Sequence, residues 1–300
     1  MKRSILLLLA ITLCSTVYAQ RCDSLPIPGG YLFYHVYGKG KPVVILTGGP
    51  GISCGQQEDV AMHISNEYQA ILIEQRGTGR SIPTLMDKEH INIDTAAADI
   101  KKILDKLAIK QAAIYGHSYG SLLAMYFGTR YPERVSRLIF AGPAPFNYTS
   151  DQLSTYADNK DARLGFSDIQ QLNALDEKAG AGTLTATDSF AFRRINNSTI
   201  IFDKSRLDSI MRFVSKGKIN NKMMVLMAGS YMRLDLTSQV KKFAKPIYII
   251  CGKQDALSFM AYEYKLVKPD VKIHWIKQAG HFPMFEQEKD FYNALTASLN

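Results

Sequence analysis

Short, continuous apolar runs separated by amphipathic helical patterns predict an α/β chain, with a mostly parallel central sheet flanked by helices and interrupted by a helical insertion. Three observations carry this expectation. Runs such as VVIL at 43–46, AILI at 70–73 and IYIIC at 247–251 are apolar at every position, the mark of strands covered on both faces. Patterns of period 3.6 lie between those runs, so strand and helix alternate as parallel sheets with right-handed crossovers require. The alternation stops near Pro145 and resumes near Leu236, and the intervening stretch is polar and has no strand-like run.

Taken in order, residues 31–37 alternate aromatic and smaller side chains, as a hairpin strand would. Buried strands are expected over 42–46, 70–73, 112–115, 138–141 and 246–251. A last strand over 271–276 alternates more and suits a position nearer an edge. Ile100, Ile103, Leu104 and Leu107 form one helical face, with Asn92 or Asp94 placed to cap its start. Leu122, Leu123, Tyr126 and Phe127 form another, ended by the step from Tyr131 to Pro132. Phe291, Leu295 and Leu299 mark a closing helix. Within the insertion, helical patches at 169–175 and 207–214 are separated by the flexible stretch 179–182.

The first residues stand apart from this pattern. Lys2 and Arg3 precede an apolar stretch over 5–13, and the tract at 17–19 suits cleavage before Gln20, which is the arrangement of a secretory leader. The stretch is shorter than the roughly 20 residues that span a bilayer, so no stable membrane insertion is expected after cleavage. Leu13 stands before Cys14 where lipoprotein processing wants a small residue, which disfavours lipidation. The expected division is a leader at 1–19, a core at 20–145, a helical cap insertion at 146–235 and the rest of the core at 236–300. The expected location is exported, periplasmic or secreted.

Composition narrows the function classes. A net charge of +9 is scattered along the chain, with one short cluster at Lys241, Lys242 and Lys245, and no stripe of arginine and aromatics suggests nucleic-acid binding. Cys22, Cys54 and Cys251 remain after the leader and have no metal-ligand spacing. One disulfide among them is possible in an oxidising compartment, with the pairing open; burial as a free thiol suits Cys251. No metal or organic cofactor is implied.

The chemistry concentrates in four places. Gly116-His117-Ser118-Tyr119-Gly120 follows a buried strand and opens a helix, which is the strand–turn–helix context of a nucleophile elbow. Ser118 is the candidate nucleophile, and the glycines two residues away on either side relieve crowding in the turn. Gly48-Gly49-Pro50-Gly51 follows the strand at 42–46 and can supply a backbone N–H to a tetrahedral oxyanion; Gly49 and Tyr119 are the candidate pair of donors. This order of elements, the α/β-hydrolase arrangement, places a base histidine late in the chain after an acid. His281 lies between the last strand and the final helix, while His35, His63, His90, His117 and His274 are less well placed. Asp255 follows the penultimate strand run and is the candidate acid that orients the imidazole.

The glycine loop at 48–51, the run EQRGTGRS at 74–81 and the elbow at 116–120 together resemble prolyl iminopeptidases and related serine aminopeptidases of the α/β-hydrolase fold. The resemblance covers roughly 31–145 and 236–300. It implies a helical cap that binds the free N-terminus of a peptide. The 74–81 run itself is expected to be structural, a turn whose glycines serve geometry and whose arginine pairs locally. Thr47 stands where that family has histidine, and Glu74 where it has aspartate. The family's cap carries glutamates for the substrate ammonium, whereas this insertion has only Glu177, with Asn196 at a position loosely matching one of them. Asp158, Asp161 and Asp188 are further candidates for that contact.

The function expected from these residues is a serine hydrolase acting through an acyl-enzyme, foremost an exported aminopeptidase releasing N-terminal residues from short peptides. A carboxylesterase with the same triad is the alternative. A non-catalytic binding protein of this fold is disfavoured by the three intact candidates Ser118, Asp255 and His281. The small peptide or ester substrate is the one partner implied.

Overall fold

The computed structural model describes residues 20–300, so the leader assigned to 1–19 lies outside the described residues. One eight-stranded sheet organises them. In chain order the strands are β1 (Arg21–Ile27), β2 (Gly30–Tyr37), β3 (Lys41–Leu46), β4 (Tyr68–Ile73), β5 (Ala112–His117), β6 (Val135–Ala141), β7 (Ile247–Gly252) and β8 (Lys272–Ile276). Their spatial order is β1-β2-β4-β3-β5-β6-β7-β8. β1 and β2 pair antiparallel, β2 joins β4 antiparallel, and every later pairing is parallel.

The central strands are apolar throughout because helices cover both faces. Val44, Leu46, Ile71, Ile73, Ile114, Leu138 and Phe140 face one core, which they share with α2 (Ile93–Lys106) and α3 (Tyr119–Arg130). Their sequence neighbours Val43, Ile45, Leu72, Tyr115 and Ile139 face a second core against α1 (Glu58–Ile64) and α12 (Glu288–Leu299). Alternate side chains point to opposite faces, so a strand between two cores has no polar face left. Asn92 caps α2, its side chain accepting a 2.9 Å bond from the Thr95 N–H in a capping box. β8 lies at the edge, with Ile273, His274 and Trp275 half-buried, as its alternation implies.

β1 has no counterpart among the sequence expectations. Its register, Pro26 opposite Tyr31 and Ile27 opposite Gly30, is set by the tight turn over residues 28–29. RCDSLPI has no clean period of two, so pairing along β2 decides its conformation.

Between β6 and β7 the chain is helical: α4 (Ser150–Asp161), α5 (Phe166–Gly180), α6 (Ala186–Ile200), α7 (Leu207–Val214), α8 (Asn221–Tyr231) and α9 (Thr237–Lys242). Asn147 and Asp235 form an isolated antiparallel bridge, and the Leu236 N–H donates to Phe146 O at 2.9 Å, so the insertion leaves and rejoins the core at one neck. Its far end docks on the glycine loop, where the Asn220 N–H donates to Gly51 O at 2.8 Å and Ile52 bridges Ile219. These contacts make the insertion a cap over the carboxyl ends of β3, β5 and β7, the ends where open α/β sheets place their sites. After β7 come α10 (Phe259–Val267), β8, the short α11 (Pro283–Glu286) and α12. No helix among the described residues is long and apolar enough to cross a membrane.

Candidate active site

Ser118 sits at the tip of β5, at the step into α3, with φ 52° and ψ −123°. A non-glycine residue held at positive φ is strained, and the surroundings supply the restraint. The Ser118 N–H donates to Ala141 O at 2.9 Å, and Ser118 O accepts from the Ser121 N–H and Oγ at 2.8 and 2.7 Å. Ser121 Oγ then accepts from the Ala144 N–H at 2.9 Å, tying the elbow to the start of the cap. The flanking glycines are sterically required. A Cβ on Gly116 would lie 2.1 Å from Gly120 O, and one on Gly120 would lie 2.5 Å from Leu46 O.

His281 lies in the turn after β8, and its Nδ1 is 2.8 Å from Asp255 Oδ2, both groups buried. The Asp255 loop can come so close because Gly252 lacks a side chain: a Cβ there would meet Gly280 O at 2.1 Å. Burial by itself would lower the imidazole's pKa, but the Asp255 carboxylate and its hydrogen bond outweigh it and hold the group above the ordinary 6.5. Asp255 Oδ1 also accepts from the Leu257 N–H at 2.9 Å, which fixes the carboxylate.

The His281 turn is held from three sides. The His281 N–H donates to Ile200 O at 2.7 Å, at the end of α6, and His281 O bonds His117 Nε2 at 2.9 Å. Burial and the neighbouring His281 push the pKa of His117 down to about 3, so it is neutral and donates through Nε2. Buried Glu286 accepts from the Gly280 N–H at 2.7 Å with one oxygen and from the Phe202 N–H at 2.7 Å with the other. It therefore fastens the base turn to the cap, at the link between α6 and α7. Sequence reasoning missed Glu286, because nothing local distinguishes it from any other helix-end glutamate.

Ser118, His281, Gly48 and Gly49 line one cavity of about 1030 Å³ between sheet and cap. Asp255 lies behind His281, not on its wall. A Cβ on Gly48 would be 3.2 Å from Ser118 Cβ, so the glycine loop passes close beside the nucleophile. Tyr119 turns its ring away against Tyr231, with centroids 5.2 Å apart. Its N–H is the first of α3 and has no partner within the helix. Thr47, at the family's histidine position, accepts from Gln75 Nε2 at 3.0 Å and donates to Ile52 O at 3.1 Å, bracing the loop.

The cap contributes an apolar wall that includes Leu175, Leu184, Phe190, Phe192, Met211 and Met224. Here the four acids expected to meet a substrate ammonium need correction. Glu177, Asp158 and Asp161 are exposed and off the cavity wall. Asp188 caps α6, accepting from the Thr185 N–H and Oγ1 and pairing with Lys178 at 2.7 Å. The carboxylate on the wall is Asp176 of α5. Successive helical residues point about 100° apart, so the neighbour of Glu177 faces the cavity while Glu177 does not. Asn196, where the resembled family would have glutamate, does line the cavity, and its Oδ1 accepts from Lys160 Nζ at 2.7 Å.

The 74–81 run lies outside the cavity. Buried Arg76 donates to both oxygens of buried Asp99 at 2.8 and 2.6 Å, the structural role expected of it. Glu74 meets His35 at 2.9 Å and Arg80 at 2.5 Å. Burial by itself would raise the Glu74 carboxyl, yet those hydrogen bonds hold it down at about 2. Ligating atoms of His35, Cys54 and Glu74 lie within 4.8 Å of one another. The Arg80 guanidinium already fills the role a cation would take there. Cys22, Cys54 and Cys251 are free thiols, Cys251 fully buried.

A family model described as the alpha/beta hydrolase fold matches residues 41–288. The chain belongs to the α/β-hydrolase fold family. This α/β-hydrolase is similar to a proline iminopeptidase of Xylella fastidiosa, 37% identical over 113 residues, which are 37% of this chain and 36% of that protein. The match thus spans about a third of that relative's length. A proline iminopeptidase of Heyndrickxia coagulans is 23% identical over 287 residues, 91% of this chain and 96% of that one. Among solved structures, an alpha/beta fold family hydrolase of Bacillus anthracis str. Sterne superposes with a TM-score of 0.73 at 20% identity, covering 93% of this chain and 99% of that one. The expected kinship with proline iminopeptidases is therefore met at the family level. The mostly parallel sheet with a helical cap is the fold expected, and the chain is an α/β-hydrolase-fold protein similar to proline iminopeptidases.

Proposed function

We propose that the protein is a serine hydrolase that cleaves carboxylic esters through an acyl-enzyme on Ser118. The observation that carries this is the 2.8 Å contact of His281 Nδ1 with buried Asp255, with His281 and the strained Ser118 on the wall of one apolar cavity. Ser118 Oγ adds to the substrate carbonyl while its proton passes to His281 Nε2. The N–H groups of Gly49 and Tyr119 receive the oxyanion, each worth about 10²–10³ in rate. Collapse of the tetrahedral species expels the alcohol, which takes the proton from His281. A water then gives a proton to His281 as it attacks the acyl-enzyme. Collapse of the second tetrahedral species releases the acid as Ser118 Oγ takes that proton back from His281.

Ester chemistry fits the cap better than peptide-amine recognition, because an ammonium needs a desolvated carboxylate partner and the four acids with that expectation lie off the wall. Asp176 on the wall, together with the similarity to proline iminopeptidases, supports a second reading as an aminopeptidase for short peptides. A screen of acyl esters against aminoacyl arylamides, free and N-acetylated, separates the two. Ester turnover with Ser118→Ala inactive and unlabelled by a fluorophosphonate is expected. Turnover of free arylamides alone, abolished by Asp176→Asn, would establish the aminopeptidase, and labelling that survives Ser118→Ala would remove Ser118 from the mechanism. Export is part of the proposal and rests on the leader pattern at 1–19.

A further inference from the structure

Ester hydrolysis leaves one charged group beside the cavity wall unused, in contact with two wall residues without lining the cavity itself. Lys160, near the end of α4, points its ammonium at Asn196 Oδ1, 2.7 Å away, and lies 5.5 Å from the centroid of the Tyr156 ring. Asn196 and Tyr156 both line the cavity. An ammonium has three N–H donors, and the bond to Asn196 uses one. Lys160 forms no ion pair among the described residues; it is half-buried, and burial lowers its pKa against the opposing charge of neighbouring Asp161. A cation partly withdrawn from water, with two donors left over, favours an anion beside it.

Arg193 strengthens the case independently. It stands three residues before Asn196 on α6, lines the cavity and forms no ion pair among the described residues. Two cap cations close to them are matched, Arg194 with Asp208 and Lys178 with Asp188. Both helices bearing the free cations touch the catalytic loops. Asn196 precedes Ile200 by four residues, about 6 Å along the helix, and Ile200 O accepts from the His281 N–H. Asn159, beside Lys160, donates to Ala256 O at 3.0 Å, next to Asp255.

We infer that Lys160 and Arg193 form a carboxylate subsite, and that the preferred substrate is a monoester of a short dicarboxylic acid. The free carboxylate would meet the Lys160 ammonium and the Arg193 guanidinium on the cap side of the cavity. This rests on the ester reading above and names its substrate class.

Two esters of equal acyl length test it, ethyl pentanoate and monoethyl glutarate, with acid release followed at constant pH. The intact protein should favour monoethyl glutarate in kcat/KM by roughly 10- to 100-fold, the range of one charge-assisted hydrogen bond. Lys160→Met should erase that preference through KM and leave ethyl pentanoate unchanged; Arg193→Gln should reduce it in part. An equal loss for both esters in Lys160→Met would mean that the lysine only fastens α4 to α6, and would overturn the subsite. So would a preference of the intact protein for ethyl pentanoate, which needs no variant to read. Calorimetric binding of monoethyl glutarate to Ser118→Ala separates the two claims. Binding that weakens on adding Lys160→Met, with no ester turned over by the intact protein, keeps the subsite and rejects the hydrolysis. Turnover of ethyl pentanoate with glutarate binding indifferent to Lys160→Met keeps the hydrolysis and rejects the subsite.

Discussion

At the scale of single residues, the electrostatics of His281 make the most specific demand. General-base action needs its neutral form, and Asp255 holds the pKa above 6.5. Activity should therefore climb with pH through a midpoint above 6.5. Asp255→Asn removes the charge that raises it, so residual activity should climb through a lower midpoint, while the rate falls by up to about 10⁴ as in other triads. A pH–rate profile of kcat/KM on the best ester reads both effects. An unmoved midpoint would take Asp255 away from His281. His281→Ala should be about as inactive as Ser118→Ala, since members of such a unit do not contribute additively.

At the scale of elements, two polar ties brace the loop that leaves β4. Arg76 and Asp99 join it to α2 as a buried bidentate pair. Arg76→Met strands the carboxylate and should cost about 3–5 kcal/mol, whereas Arg76→Met with Asp99→Leu should recover much of it. Urea midpoints of the three proteins give the comparison, and a double variant no better than the single one would contradict it. Glu74 is the second tie. Its folded pKa of about 2 lies below its ordinary 4.5, so the stability it contributes is present above about 4.5 and is lost as pH falls through about 2. Glu74→Gln should unfold more readily at neutral pH and show a flatter decline between those two values, read from melting temperatures in an acid series.

At the scale of the whole molecule, the sheet carries the nucleophile, acid and base on β5, β7 and β8, and the cap closes over their ends. The two halves meet through backbone bonds at Ile200 and Gly51 and through the Phe202 N–H donated to the Glu286 carboxylate, so cap and base turn are one mechanical unit. Glu286 buttresses that joint with a buried carboxylate whose pKa burial raises. The chain's N-terminus belongs to this scale too. Exported protein should begin near Gln20 by mass spectrometry, and a retained Met1 or a lipid on Cys14 would refute soluble export.

How much of this was legible depended on whether a feature is local. The buried strands β3 to β7 were readable because a strand between two cores is apolar at every position, and α2 because Asn92 and its apolar stripe are adjacent in sequence. Ser118, Gly116 and Gly120 were readable because a strained turn dictates its own flanking residues. β1 was not, since its conformation is borrowed from β2. The cap was legible as helix but not in its facing. Asp176 and Glu177 are neighbours in sequence, and only packing decides which meets the cavity. Lys160 and Asn196 lie on different helices, and their contact exists only once α4 packs on α6. By itself the sequence determined the sheet and the identity of the reacting groups, because short-range sterics and periodicity encode them. The charge of the substrate cleft was decided by tertiary structure, because helix phase and long-range packing choose which side chains face it.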